Sequence, residues 1–364
     1  MEIIALMDIT QLMEQALELA RQGFPHPNPY VGCLIVKNGR IIGKGHHQKA
    51  GEPHAEINCL NACTESVEGA TMIVNLEPCF HYGRTPPCVD RIIDSGIKKV
   101  IVATKDPNPK TNGKSLQKLR DAGIEVVCGI AEEQAKALNA PFFKWITTGL
   151  PYVSLKAAIT LDGKIATVSH SSQWISSEQS RLWVHDFRNT IDGILVGAST
   201  VREDNPQLSA RTEMVYYPTR IVLSHSGDIF PEARIFSQPG RTIIAVPEDL
   251  KKEKQELLTA RAEVLLCKRS GTGIDITDLL EKLGQRNISH LFVEGGSKVF
   301  TSFIKGRHVD AFYFIVVPKL LGDGISVMGG RIPEISNAIG LEFQDVQRFG
   351  PDLLITARYR QDGK

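Results

Sequence analysis

Short runs of β-branched and apolar residues alternate with amphipathic stretches along nearly the whole chain, and this alternation restricts the fold more than any other feature. Apolar residues at helical spacing (Ile9, Leu12, Met13, Ala16, Leu17, Leu19, Ala20) predict a helix over 8–21, stopped by Gly23. Two strand-like runs, 31–36 and 40–45, flank Lys37-Asn38-Gly39, and an Asn-Gly pair between apolar runs is a hairpin signal. The pattern then predicts a helix from Pro53, a strand over 71–76, a helix over 88–95 and a strand over 99–103. A helix over 114–122, a strand over 125–128 and a last helix over 131–148 follow. This order describes a layered α/β domain.

Gly149-Leu150-Pro151 is a helix stop followed by a fresh strand. The expected boundary falls there, with domains at 1–149 and 150–364, and a chain of 364 residues is long enough for two cores. The second half alternates again: a strand over 152–158, a helix over 176–188 and a strand over 193–196. Further strands are expected near 220–223, 242–246, 263–267, 290–294 and 311–317.

Within the first domain, His54-Ala55-Glu56 stands at the head of a predicted helix, and Pro78-Cys79 precedes Pro86-Pro87-Cys88. Zinc takes thiolate and imidazole in tetrahedral geometry, and a catalytic site leaves one of four positions to water. His54, Cys79 and Cys88 supply three ligands, and the metal lowers the pKa of its water towards neutrality. Glu56 is too close in sequence to His54 to be an ordinary ligand. It is suited to take the water's proton and return it to departing ammonia. Prolines before the ligands suit first helical turns, whose positive dipole ends favour thiolate. The signature is that of zinc deaminases, except that the cysteines are nine positions apart instead of three. Each fragment alone is ordinary surface or core chemistry; their joint order is what carries meaning.

Composition limits the substrate. Lys and Arg total 42 against 41 Asp and Glu, and this near-balance weighs against a phosphodiester backbone as partner. A small molecule is expected. The first ten residues lack a basic and apolar leader, and no uninterrupted apolar run approaches about 18 residues, so neither secretion nor membrane insertion is expected. Seven scattered cysteines suit reduced thiols and a cytoplasmic location.

The segments around these residues carry a resemblance. Asn28 within His26-Pro27-Asn28-Pro29-Tyr30-Val31-Gly32, Gly51-Glu52-Pro53 before His54, Phe80-His81-Tyr82-Gly83-Arg84-Thr85 between the cysteines, and Asp106-Pro107-Asn108-Pro109 together resemble the bifunctional riboflavin-biosynthesis deaminase–reductase family. So do Lys156-Ala157-Ala158, Leu161-Asp162-Gly163-Lys164, Ser172-Gln173-Trp174-Ile175, Val196-Gly197-Ala198-Ser199-Thr200, Asp204-Asn205-Pro206 and Val293-Glu294-Gly295-Gly296-Ser297-Lys298 in the second half.

The resemblance implies a cytidine-deaminase-like three-layer N-terminal domain and a dihydrofolate-reductase-like α/β C-terminal domain. The first would deaminate a 2,5-diamino-6-(5-phosphoribosylamino)pyrimidinone; the second would reduce the ribosyl group to ribityl with NADPH. It implies Asn28, His47, His81, Arg84 and Thr85 as substrate contacts in the first domain. In the second it implies Ala158, Trp174, Thr200, Asp204, Gly296, Ser297, Lys298, Val299, Phe300, Thr301 and Ser302 as cofactor contacts. Ser172, Arg188, Leu208, Arg211 and Glu294 are implied as substrate contacts and Lys156 as a catalytic partner.

Arginines suit a sugar phosphate, and a Gly-Gly turn opening a helix suits a cofactor phosphate. No G-x-G-x-x-G follows a strand here, which disfavours a conventional dinucleotide fold. The family pattern has Asp-Ser where this chain has Ser224-His225, a departure at one cofactor contact, and a glycine is missing from 168–172. A homo-oligomer is expected. Two rival readings stay open at this point: a deaminase of RNA bases with a non-catalytic C-terminal module, and a scaffold whose reductase half has lost activity.

Overall fold

A computed structural model describes residues 8–80, 86–210, 216–271 and 273–360. It divides into two compact units, the first ending at Gly149 and the second starting at Leu150.

The first unit runs α1 (Ile9–Ala20), β1 (Gly32–Lys37), β2 (Arg40–His46), α2 (Ala55–Asn61), β3 (Thr71–Leu76), α3 (Cys88–Asp94), β4 (Lys99–Thr104), α4 (Lys114–Asp121), β5 (Glu125–Cys128), α5 (Glu132–Leu138) and α6 (Ala140–Thr148). The hairpin β1–β2 closes through Asn38 and Gly39, both at positive φ, as its Asn-Gly pair requires. The sheet order is β2-β1-β3-β4-β5, with β3, β4 and β5 parallel.

Alternate residues of these strands bury opposite faces. Cys33, Ile35, Met72, Val74, Val100 and Val102 pack under α2, α3 and α4. Leu34, Val36, Ile73, Ile101 and Ala103 pack under α1 and α5. The unit is therefore a three-layer α/β/α domain.

The single helix expected over 131–148 is two. Pro141 cannot donate within a helix and Asn139 leaves the helical region, so the chain restarts at Ala140. Asn139 uses the break: its side chain brackets Tyr30, accepting from its N–H at 2.8 Å and donating to its carbonyl at 3.0 Å. That braces the segment bearing Asn28.

The second unit runs β6 (Tyr152–Thr160), β7 (Lys164–Ala166), α7 (Glu178–Phe187), β8 (Gly193–Gly197), α8 (Ala198–Asp204), β9 (Thr219–Leu223), β10 (Thr242–Pro247), α9 (Lys252–Thr259), β11 (Glu263–Cys267), β12 (Arg269–Ser270), β13 (Gly273–Ile274), α10 (Ile276–Gly284), β14 (His290–Gly295), α11 (Ser297–Lys305), β15 (Ala311–Val317), β16 (Ile325–Ser326), β17 (Leu341–Phe349) and β18 (Asp352–Tyr359). Its main sheet has the order β11-β10-β9-β8-β14-β6-β15-β18-β17. β18 joins β15 antiparallel and pairs with β17, a terminal hairpin that the sequence pattern does not announce. One face packs on α10 and α11, the other on α7, α8 and α9. Parallel strands thus deliver β6, β8 and β14 side by side, with their C-terminal ends aligned.

Candidate active sites

In the first unit two helix starts and one strand end meet. His54 is the N-cap of α2, in extended conformation; Cys88 is the first residue of α3; Cys79 follows β3 by three residues. Pro87 caps α3 instead of lying inside it, and Pro53 stands one residue before the α2 cap, so neither occupies the first helical turn expected of it. His54 Nδ1 lies 3.5 Å from Cys79 Sγ and 3.3 Å from Cys88 Sγ, and all three ligand atoms fall within 4.8 Å of one another. Tetrahedral zinc with Zn–S near 2.3 Å and Zn–N near 2.0 Å spaces such ligands about 3.5 Å apart, so the donor set fits that ion.

The electrostatics suit a metal that needs a thiolate. The Cys88 thiol and the hydrogen bond from His54 hold the Cys79 thiol below its ordinary value, while the same Cys79 contact and burial raise Cys88, so the pair favours one thiolate at Cys79. The Cys88 backbone N–H also donates to Cys79 Sγ at 3.2 Å. Glu56, in the first turn of α2, is 3% exposed. Burial, then the nearby Cys79 charge, pushes its carboxyl up to about 7.

His47 is also buried, and burial lowers it to about 4, so its ring is neutral. Nδ1 faces the Pro53 carbonyl at 3.2 Å, which makes Nδ1 the donor, and Nε2 accepts from Asn28 Nδ2 at 3.0 Å. Asn28 and His47, each expected at the substrate, are brought together, and His47 orients the Asn28 amide. His81, Arg84 and Thr85 lie outside the described residues.

In the second unit a cavity of about 1350 Å³ opens over the C-terminal ends of β6, β8 and β14. Lys156, Ala158, Ser172, Trp174, Arg188, Thr200, Asp204, Leu208, Glu294, Gly296, Ser297, Lys298 and Phe300 all line it. Val299, Thr301 and Ser302 do not reach this wall. Val299 packs in the core, and the hydroxyls of Thr301 and Ser302 donate to the carbonyls one turn back on α11. Arg211 lies outside the described residues.

Two features of the cavity wall are electrostatic. Arg188 grips Glu294 with two hydrogen bonds of 2.7 and 2.9 Å, and their side chains are only 11% and 9% exposed. Burial pushes the Glu294 carboxyl up, but Arg188 and then Lys156 outweigh it and hold the group below its ordinary value. Burial likewise lowers Lys156, against the pull of Glu294.

Gly296 sits at φ +89°, which a side chain disfavours, and turns the chain from β14 into α11. Trp174 is 63% exposed at the mouth, with the Arg181 guanidinium 4.6 Å from its ring centroid. His225, at the position of the family departure, lies 3.2 Å from Arg269 through Nδ1. Glu77 carries no motif signal in the sequence, and only the backbone N–H groups of Asp106, Gly113 and Ser115 on its carboxylate mark it.

Residues 7–104 match the family described as cytidine and deoxycytidylate deaminase zinc-binding region, and residues 151–355 match the RibD C-terminal domain. The riboflavin biosynthesis protein RibD of Aquifex aeolicus is 43% identical over 348 residues, spanning 94% of this chain and 96% of its own length. This chain belongs to the RibD family. Its counterpart in Escherichia coli K12 is 37% identical over 361 residues, covering 94% of this chain and 97% of that protein. The solved Thermotoga maritima diaminohydroxyphosphoribosylaminopyrimidine deaminase/5-amino-6-(5-phosphoribosylamino)uracil reductase superposes with a TM-score of 0.87 at 38% identity, covering 97% and 99% of the two chains. Membership settles the fold of both halves of this RibD-family chain. It gives no support to the reading of an RNA deaminase with a non-catalytic C-terminal module.

Proposed function

We propose that this chain performs two consecutive steps of riboflavin biosynthesis on one phosphorylated pyrimidine riboside. The unit at 1–149 hydrolyses the amino group of 2,5-diamino-6-(5-phosphoribosylamino)pyrimidin-4(3H)-one, and the unit at 150–364 reduces the ribosyl side chain to ribityl. The observation that carries this is the convergence of His54 Nδ1, Cys79 Sγ and Cys88 Sγ beside the buried Glu56.

His54, Cys79 and Cys88 would hold zinc, a Lewis acid that lowers the pKa of a water it binds. Glu56 takes that water's proton. The same buried carboxyl returns the proton to ammonia as it leaves. Asn28, its amide oriented by His47, presents its oxygen to the ring. His81, Arg84 and Thr85 are assigned to the 5′-phosphate on their chemistry.

In the second unit NADPH, when bound, supplies the hydride; Trp174, Thr200, Asp204 and the Gly296 turn would hold it. Opening the ribose breaks the bond from C1′ to the ring oxygen, and that oxygen needs a proton. Lys156, made more acidic by burial, is placed on the cavity wall to give it. Arg188 and Glu294 form a rigid pair against which the sugar is oriented, with Ser172 and Leu208 beside it and Arg211 assigned to the phosphate. We place the enzyme in the cytoplasm as a homo-oligomer. Its seven cysteines are free, and the edge strand β17 leaves Phe343 and Val346 exposed. No helix among the described residues is long and apolar enough to cross a membrane.

Glu56→Gln tests the assignment. Zinc content should stay at wild-type level, ammonia release should fall about 10²- to 10⁴-fold, and NADPH oxidation on supplied deaminated intermediate should persist. Zinc loss in that variant, or undiminished ammonia release, overturns the role of Glu56. Ammonia release by the wild type without any NADPH oxidation overturns the second activity, and leaves the scaffold reading standing.

A further inference from the structure

We propose that Glu77 is a positioning residue of the metal centre, clamping the turn that carries Cys79 onto the N-terminus of helix α4. Glu77 follows the last residue of β3 and precedes Pro78-Cys79, and it is 3% exposed. Its backbone N–H donates to the Thr104 carbonyl at 3.0 Å, continuing the β3–β4 ladder by one residue. Its side chain does something different. Oε2 accepts from the backbone N–H groups of Asp106 at 3.2 Å and Gly113 at 2.8 Å, and Oε1 accepts from that of Ser115 at 3.1 Å.

Gly113 is the residue before α4, at φ +84°, and having no side chain it cannot cap the helix itself. The first amides of a helix need an acceptor, and an acidic group there is favoured by the helix dipole. Glu77 supplies that acceptor from another strand. A buried carboxylate in turn needs several donors, and three amides provide them. Two requirements are met by one contact, and the contact lies two residues from a metal ligand.

The turn after β3 is thus held on one side by the sheet and on the other by α4. Its remaining freedom is taken up by the Cys88 N–H that points at Cys79 Sγ. Glu77 touches no ligand atom and acts through the backbone, as outer partners of metal ligands do. The inference rests on the reading of His54, Cys79 and Cys88 as a zinc site.

The test uses the full-length protein and zinc competition against a chromophoric chelator. Glu77→Gln keeps shape and volume but has one acceptor oxygen, so its amide nitrogen must face an N–H that the carboxylate accepted. Zinc affinity should fall about 10- to 100-fold, while NADPH oxidation on the deaminated intermediate stays at wild-type level.

A second measurement needs no variant. Coupling between metal and amides is reciprocal, so adding zinc to the wild type should slow hydrogen exchange at Asp106, Gly113 and Ser115 several-fold. In Glu77→Gln that zinc-dependent protection should vanish. A variant that binds zinc within threefold of wild type, or exchange at the three amides unchanged by zinc in the wild type, overturns the inference. A wild type that takes up no zinc refutes the deaminase reading itself, and the inference with it.

Discussion

Replacing Glu294 by Gln should cost the second unit about 3 kcal/mol at pH 7, near the low end of what removing one partner of a buried ion pair costs. Two of the Arg188 hydrogen bonds end on this carboxylate, and a third goes to the Ser209 carbonyl at 2.9 Å. The amide keeps the shape and can still accept one of the two, so the loss is mainly charge. Arg188 and Lys156 are then left on one cavity wall without the carboxylate that acts on both. Access of water to the cavity keeps the cost from the upper end of the range.

For a domain of about 150 to 250 residues, 3 kcal/mol corresponds to roughly 6–12 °C in melting temperature. Differential scanning calorimetry reads this directly. Glu294 is held below its ordinary value when folded, so the ion-pair stabilisation is present above the unfolded pKa, about 4.3. It is lost as pH falls through the folded-state value. The gap between wild type and variant should therefore be full at pH 7 and shrink below about pH 4. Reductase turnover should fall with it, because the Arg188 side chain loses its anchor. An Arg188→Met, Glu294→Leu double variant should recover part of the stability but none of the turnover. A Glu294→Gln transition within 2 °C of wild type at pH 7, or a gap that ignores pH, would refute this reasoning.

Two further outcomes are expected in the first unit. A Cβ placed on Gly45 would lie 2.3 Å from the Cys59 backbone nitrogen and 2.7 Å from the Ala55 carbonyl, so Gly45→Ala must push α2 off the sheet. That overpacking should cost about 1–3 kcal/mol and displace His54 and Glu56. Deamination and zinc uptake should drop while NADPH oxidation is unaffected; normal deamination by this variant would count against the placement of α2.

Burial, with the Glu77 charge adding to it, raises Asp106 from 3.8 to about 6. Its folded value lies above its unfolded one, so the stabilisation is complete below pH 3.8 and is lost as pH rises through about 6. The full loss is at most about 3 kcal/mol. Asp106→Asn should remove that pH dependence from urea midpoints measured at pH 4 and pH 8; equal slopes in both proteins would show that Asp106 is not the group responsible.

Local pattern decided the elements that are periodic and bounded by turn residues. β3 and β5 begin and end where their short apolar runs place them, and the Asn38-Gly39 hairpin follows from turn chemistry alone. The pattern was blind where periodicity is interrupted. The terminal strand β17 carries its apolar residues at 341, 343, 346 and 349, and the register shift between Phe343 and Asp345 shows why: a bulge breaks the alternation. Within 131–148 helical propensity spoke for one helix, and the missing N–H of Pro141 overruled it.

The division runs the same way through the two sites. Residue types dictated by chemistry were legible in the chain by itself: His54, Cys79, Cys88 and Glu56, because zinc and a proton shuttle admit few alternatives. Their placement on two helix starts and one strand end is a property of the folded sheet. Pairings between residues far apart in sequence were decided only by tertiary structure. Glu294 meets Arg188 across 106 positions because β14 and the end of α7 border one cavity. Glu77 reaches Ser115 across 38 because β3 and β4 are neighbours in the sheet. A sequence records which groups are available, while which buried charge finds which partner depends on strand order, and strand order emerges only when the whole sheet is assembled.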